Sequence, residues 1–253
     1  LSTDSALTPA NLATYLDIGV VCARGKAWGA EDMARIFSGS DPVKEIVRQG
    51  VNYWGNKIDT ASLNVAVGAG GSIAATHRLA VNGKLSFSDM VDGKALLGDN
   101  GEVLTEALVH SAVYYQLIKD NLVSGFANIG DVYNSVIKSG GFSNVLGLNL
   151  WVTDQCTIGA DGVTYTSHLF AKSAMYLGYQ SALDFEPYRN TPKGADEIYS
   201  RVYFVPHLRG VKWTGTAAGV TPTNAELATT TNWSKVVGDD KEIRYVSITS
   251  KLT

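Results

Sequence analysis

The chain has 253 residues, enough for one large domain or two small ones around a substantial core. Hydrophobic residues make up 45% and charged residues only 18%; the net charge is −3 with no block of one sign, so a nucleic-acid reader with a basic stripe is not expected. No stretch approaches the roughly 20 apolar residues of a membrane span, and no signal peptide is visible.

Residues 1–15 are polar and loop-like, with Pro9 in a turn context. Leu16–Ala23 is rich in β-branched residues and reads as a strand, and Ala30–Phe37 as a short helix ended by Ser38-Gly39-Ser40. Next, Asp41 is a suitable N-cap and Pro42 fits the first helical position. Val43, Val47, Val51, Trp54, Ile58, Ala61 and Val65 then recur at steps of three or four, one continuous face of a helix over 42–67. Such a helix would be about 39 Å long. Gly68-Ala69-Gly70-Gly71 is expected to end it. A helix over Phe87–Leu97 follows, with Ser86 or Ser88 as cap and Gly98 as stop.

Val103–His110 reads as a strand, its apolar run at Val103–Leu108 being equally compatible with a helix, and Ala112–Asn121 reads as a helix capped by Ser111. A short helix is expected at Val132–Lys138 inside a glycine-punctuated stretch. Strands are expected at Leu146–Thr153, Thr164–Ala171 and Ser173–Tyr179, then at Ile198–Val205 continuing past Pro206 to Trp213. After a turn-rich segment, a last strand covers Glu242–Thr249. Pro206 cannot donate a ladder bond, so its strand should be at an edge or bulged there. The pattern is α+β, with two lobes and the middle of the chain inserted between the halves of the outer one.

The motifs that carry chemistry are missing. Gly68-Ala69-Gly70-Gly71-Ser72-Ile73 lacks the third glycine of a dinucleotide fingerprint and follows a helix, so no strand-to-helix turn aims amides at a pyrophosphate. His77, His110, His168 and His207 form no spaced ligand pair. Cys22 and Cys156 have no CxxC or HxxxH companion and read as free, buried thiols. There is neither a GxSxG elbow nor a P-loop, although a Ser-His-Asp set from distant residues stays open. Asp184/Glu186, Asp196/Glu197 and Asp239/Asp240 look like solvated turns, and Asn232-Trp233-Ser234 is a chance sequon. Accordingly no catalytic, cofactor-binding or metal-ligating residue is assigned and no cofactor is expected.

One resemblance runs through the chain. Phe204-Val205-Pro206-His207-Leu208-Arg209-Gly210-Val211-Lys212-Trp213-Thr214-Gly215 resembles a segment of tailed-bacteriophage major capsid proteins. So do Pro222–Ala228, Asn232-Trp233 and Lys241–Arg244. Earlier blocks agree in order and spacing: Arg24–Trp28, Val109–Tyr114 with Asn121-Leu122, and Tyr165–Phe170 ending at Gly178. The resemblance implies the Hong Kong 97-type capsid fold, an α+β fold with a long spine helix, a peripheral lobe, an axial lobe and an extended loop. Residues 1–18 would be the returning half of that loop, so the N-terminal arm and the outgoing half would precede Leu1. Residues 19–102 would form the peripheral lobe with the spine helix at 42–67, 103–190 the axial lobe, and 191–253 the closing strands of the peripheral lobe. Gly125–Gly141 would enlarge an axial loop, and the glycines at 68–71 and 140–141 would be flexible joints.

By the same resemblance the chain would not be an enzyme. It would assemble with itself as pentamers and hexamers into an icosahedral shell around double-stranded DNA, touching the DNA non-specifically. Portal and scaffold or decoration proteins would be further partners, with no membrane. Assembly would take place in the host cytoplasm and the product would be the virion. An encapsulin-type nanocompartment shell is the alternative on the same fold, and an α+β enzyme the alternative from another class.

Overall fold

The fold is seen in a computed structural model that describes residues 14–39, 41–73, 75–127, 144–145 and 147–252. Its axis is a 31-residue helix, α2, Pro42–Ser72, about 46 Å long. The Asp41 side chain accepts a hydrogen bond from the Val43 amide and Pro42 starts the first turn, as expected. The apolar face is covered unevenly: Trp54, Ile58, Ala61 and Val65 are buried, whereas Val51 is 52% exposed.

The helix does not stop at Gly68. Gly68, Gly70 and Gly71 lie inside it, and each is the point where another segment touches the helix. A Cβ on Gly68 would overlap the Leu227 carbonyl oxygen, one on Gly70 the Tyr245 ring, and one on Gly71 the Thr230 hydroxyl. Glycine here removes side-chain bulk, and the tight packing it permits holds these residues in helical geometry. The expected joint at 68–71 is therefore a packing surface; Gly140 and Gly141 lie outside the described residues.

Around α2 the described residues form three sheets. The first is fully antiparallel, in the order β1 (Cys22–Glu31), β8 (Ala195–Leu208), β7 (Met175–Asn190). The second pairs β9 (Val211–Trp213) with β10 (Trp233–Lys235). The third has six strands in the order β2 (Arg78–Ala80), β11 (Tyr245–Lys251), β6 (Thr164–Ala171), β3 (Leu104–Val109), β5 (Leu148–Val152), β4 (Asn144–Val145). The other α-helices among the described residues are α1 (Asp32–Ser38), α3 (Phe87–Ala95), α4 (Ser111–Ala127) and α5 (Asn224–Ala228).

Several expectations shift. The first strand runs over Cys22–Glu31 rather than 16–23: residues 22–31 find a continuous antiparallel partner in β8, whereas Ile18 makes only an isolated bridge to Lys212. The strand expected at 173–179 extends to Asn190, because β8 continues to pair with it across two register shifts. Asp184, Glu186, Asp196 and Glu197 are thus strand residues rather than turns. The strand expected to run unbroken to Trp213 turns at 209–210. Pro206 lies beyond the last β1 pair, Cys22–Phe204, where β8 has only β7 beside it, as a proline requires. The segment read as turn-rich contains α5, whose Thr223 and Glu226 form a capping box. Ser86 and Asp89 do the same for α3. The helix expected at 132–138 lies outside the described residues.

The expected boundary at 190/191 separates β7 from β8, which share one hairpin, and β11, expected among the peripheral strands, lies between β2 and β6 in the six-stranded sheet. Residues far apart in sequence close these layers.

Two relays tie α2 to its sheets. Trp54 Nε1 donates to Ser200 Oγ at 2.9 Å, and Ser200 in turn donates to the Lys26 carbonyl at 2.9 Å, joining helix, β8 and β1. Further along, Tyr245 lies against Gly70, and its hydroxyl is 2.7 Å from Nδ1 of the fully buried His168. Burial pushes the His168 imidazole down to about 4 and the Tyr245 hydroxyl upward.

Two tests follow from these contacts. Gly70→Ala should lower the stability of the unassembled chain by about 1–3 kcal/mol through overpacking. Gly55→Ala, at an exposed position of the same helix with open space around it, should raise it by about 0.5–1 kcal/mol. Denaturant unfolding midpoints read both. For His168, the unfolded imidazole takes up a proton near its ordinary value of 6.5 and the buried one only near 4. Between those values the unfolded state binds more protons, so stability should fall as pH drops from 6.5 to 4, by about 3 kcal/mol from this residue. His168→Phe should flatten that part of the pH–stability curve.

Candidate assembly surfaces

The residues that could carry chemistry have structural duties. His110, Ser111 and Asp154 do meet, but not in catalytic order. Ser111 Oγ donates to Asp154, and His110 Nδ1 accepts the Ala112 amide at 3.1 Å, which caps α4. His110 Nε2 stands 3.8 Å from Asp154. The hydroxyl therefore has no imidazole base, and a nucleophile needs one. His110, not the expected Ser111, is the cap seen for α4.

The other histidines are enclosed. His77 is buried, and burial lowers its pKa. His207 lies between Trp233 and Asp17, with its Nε2 3.7 Å from the carboxylate. Burial lowers its pKa more than Asp17 raises it. Cys22 and Cys156 are free and buried, and burial pushes the Cys156 thiol up to about 12. Among the described residues no three His, Cys, Asp or Glu side chains gather to hold a metal ion, and no helix is long and apolar enough to cross a membrane.

The acidic pairs are spoken for in the same way. Glu186 meets Arg201 at 2.8 Å, Arg189 bridges Asp32 and Asp196, and Asp240 meets Lys235. Asn232, first residue of the sequon, donates to the Glu226 carbonyl at 2.9 Å, and Trp233 donates to that of Leu227 at 2.8 Å. The capsid-like blocks at 222–228 and 232–233 thus meet Gly68 of α2, and the block at 204–215 joins them through Trp213. There Trp213 and Trp233 stack edge to face, their ring centres 5.0 Å apart.

The exposed surface carries the features that bear on assembly. Among the described residues the β1-β8-β7 sheet has β1 and β7 as its edges, with no further strand beside either. β7 is exposed at most of its 16 residues and carries Tyr176, Leu177, Tyr179 and Tyr188 outward. An open edge strand of this length invites pairing with another chain; the two register shifts in β7 interrupt its ladder and restrict how that could happen. On the solvent face of β8, Tyr199 and Tyr203 alternate with Arg201.

At the far end of the hairpin, α1 is fastened to the turn. The Asp32 amide donates to the Gly194 carbonyl at 3.0 Å, and Arg189 grips the Asp32 carboxylate with both terminal nitrogens. This fixed helix turns Met33, Ile36 and Phe37 to solvent.

Between α2 and the six-stranded sheet lies a largely apolar groove of about 560 Å³, with Leu63, Leu108, Trp151 and Val152 in its walls and Asp59 and Glu106 among its polar groups. Trp151 is 60% exposed and its Nε1 donates to Glu106 at 2.6 Å. Burial acts to raise the Glu106 pKa, but hydrogen bonds from Trp151 and Asn149 outweigh it and keep the carboxylate ionised. Neither groove nor α1 was foreseen from sequence as a surface. The alternation ending in an unshielded tryptophan at Leu148-Asn149-Leu150-Trp151 was the available signal.

Comparison with known proteins agrees with this picture of a chain built around surfaces. Residues 3–244 match the Gp13-like family, described as major capsid protein 13-like. The chain is 31% identical over 256 residues to the major capsid protein of Bacillus phage SPP1, covering 97% of this chain and 76% of that protein. Among solved structures, the capsid of Ralstonia phage GP4 aligns with a TM-score of 0.66 at 10% identity, over 100% of this chain and 80% of that one. The acid-stable capsid of Helicobacter pylori bacteriophage KHP30 gives 0.61 at 11%, over 98% and 83%. The SrpI encapsulin of Synechococcus elongatus PCC 7942 gives 0.55 at 10%, over 90% and 73%. The structural likenesses establish the Hong Kong 97-type fold, the sequence match extends over nearly the whole chain, and the chain therefore belongs to the Gp13-like major capsid proteins of tailed bacteriophages.

Proposed function

We propose that many copies of this chain associate as pentamers and hexamers and close into an icosahedral shell around double-stranded DNA. The observation that carries this reading is the 31% identity to a phage major capsid protein across 97% of the chain. Physical support comes from the surface: open sheet edges, outward tyrosines and an apolar groove are features a chain keeps when copies cover it. Repetition then supplies stability, because removing one subunit breaks several modest contacts at once.

In this reading the role is structural rather than catalytic. The lobes follow the sheets: β1-β8-β7 with the first half of α2 forms the peripheral lobe, and the six-stranded sheet with α3 and α4 forms the axial lobe around capsomer axes. Contacts with packaged DNA are non-specific, in keeping with a net charge of −3 and no basic block. A portal and scaffold or decoration proteins complete the particle, which assembles in the host cytoplasm and leaves as the virion. The encapsulin likeness supports a second reading, a shell around a protein cargo, but that likeness is at 10% identity against 31% for the phage protein.

Electron micrographs of particles purified from infected cells should show closed shells containing this chain, with DNA that resists nuclease. A protein cargo in place of DNA would transfer the assignment to the nanocompartment, and a chain that stays monomeric in sizing experiments would end the shell reading.

A further inference from the structure

The six-stranded sheet has two unlike sides. On one, Glu106, Leu108, Trp151 and Phe170 line the apolar groove against α2. On the other, Gly93 of α3 lies against Leu169 and Ile248. Leu169 follows the same strand as Phe170 and pairs with Ala107, while Phe170 pairs with Glu106. Successive side chains of a strand point to opposite faces, so α3 and the groove lie on opposite sides of the sheet. α4 is on the α3 side: Gln116 reaches the Leu85 carbonyl at 3.5 Å and Asp120 stands 3.9 Å from Lys84, both just ahead of α3. Val113 and Leu117 of α4 are buried. Tyr115 and Lys119, one turn apart, therefore share the outer face of that helix, and both are exposed, Tyr115 at 67%.

We propose that the Tyr115–Lys119 face of α4 in one copy seats in the groove of the next copy around the capsomer axis, resting on the shell-building role and the axial placement of this lobe proposed above. Position selects this occupant first. A ring of identical subunits needs two different surfaces on opposite sides of the part nearest the axis, and the groove and α4 stand on opposite sides of one sheet in one lobe. Charge selects it second. Asp59 lines the groove and is exposed, and Glu106 takes its hydrogen bonds from the neutral groups of Trp151 and Asn149, so its negative charge stays in place. Lys172 is the cation that acts on Glu106, which leaves Asp59 to be matched. Among the described residues neither Asp59 nor Lys119 has an ion-pair partner; the acid next to Lys119, Asp120, is turned to Gln116 and Lys84. The third feature is aromatic. Tyr115 brings an exposed ring to a groove whose own Trp151 is 60% exposed, the kind of pair that anchors protein contacts.

The test is disulfide trapping in shells purified from infected cells. Asp59→Cys and Lys119→Cys fall at exposed positions, whereas Cys22 and Cys156 are buried and stay silent. After oxidation, a chain carrying both substitutions should give a ladder of linked subunits ending at the hexamer, and either substitution alone should give none. The sheet stands between the two positions within one chain, so the link can form only between copies. Shells that form normally without the 59–119 link would overturn this contact and leave the shell assignment standing. A charge exchange reads the same contact independently. Asp59→Lys and Lys119→Asp should each lower the shell yield about tenfold by setting like charges together, and the chain with both should recover it. Single exchanges with wild-type yield, or a double exchange no better than the singles, would overturn the contact. A wild-type chain that forms no shells would overturn the assignment and the contact together.

Discussion

The structure depends on how closely other segments approach one side of α2. At Gly68, Gly70 and Gly71 the helix offers no side chains, and the carbonyl of Leu227, the ring of Tyr245 and the hydroxyl of Thr230 occupy the space. That contact fixes the height of the Trp213–Trp233 pair over the helix and, through Tyr245, the position of β11. β11 is hydrogen-bonded to β2 and β6, so the six-stranded sheet inherits its placement from a few ångströms of missing side chain. At the other end Trp54, Ser200 and Lys26 attach the same helix to the three-stranded sheet. One helix therefore sets the relation between sheets that share no ladder.

The sequence revealed this architecture where local rules act alone. The apolar spacing from Val43 to Val65, the Asp41-Pro42 start and the Ser86 cap depend on neighbours within a turn or two, and all three were legible. The glycine run was misread because a glycine that ends a helix and one that lets another segment touch it look the same until the partner, more than 150 residues away, is in place. β7 was read short for a related reason. Its second half alternates Asp184, Phe185, Glu186, Pro187 and Tyr188, and only the ladder with β8 makes it a strand. The capping box of Thr223 and Glu226 was legible in principle, but the helix it opens is five residues long and leaves almost no periodicity.

The surfaces were harder to see than the fold. Of the resemblance blocks, those at 222–228 and 232–233 pack against α2 at Gly68 rather than on an outer face. The groove draws its walls from α2, β3, β5, β6 and β7, and no local pattern announces such a union. The titratable residues failed as markers for the opposite reason. His110 caps a helix, His168 fills a core, and Asp196 and Asp240 close ion pairs, so each has a partner that explains it without chemistry.

The glycine face also has a mechanical consequence. A stiff rod of about 46 Å, seated in a sheet at either end, acts as a lever between them. With 68–71 packed against Leu227, Tyr245 and Thr230, bending toward them would cost overlap. A change of angle between neighbouring copies then has to be taken up elsewhere than at 68–71, and this stretch of the helix passes on a tilt at one end to the other.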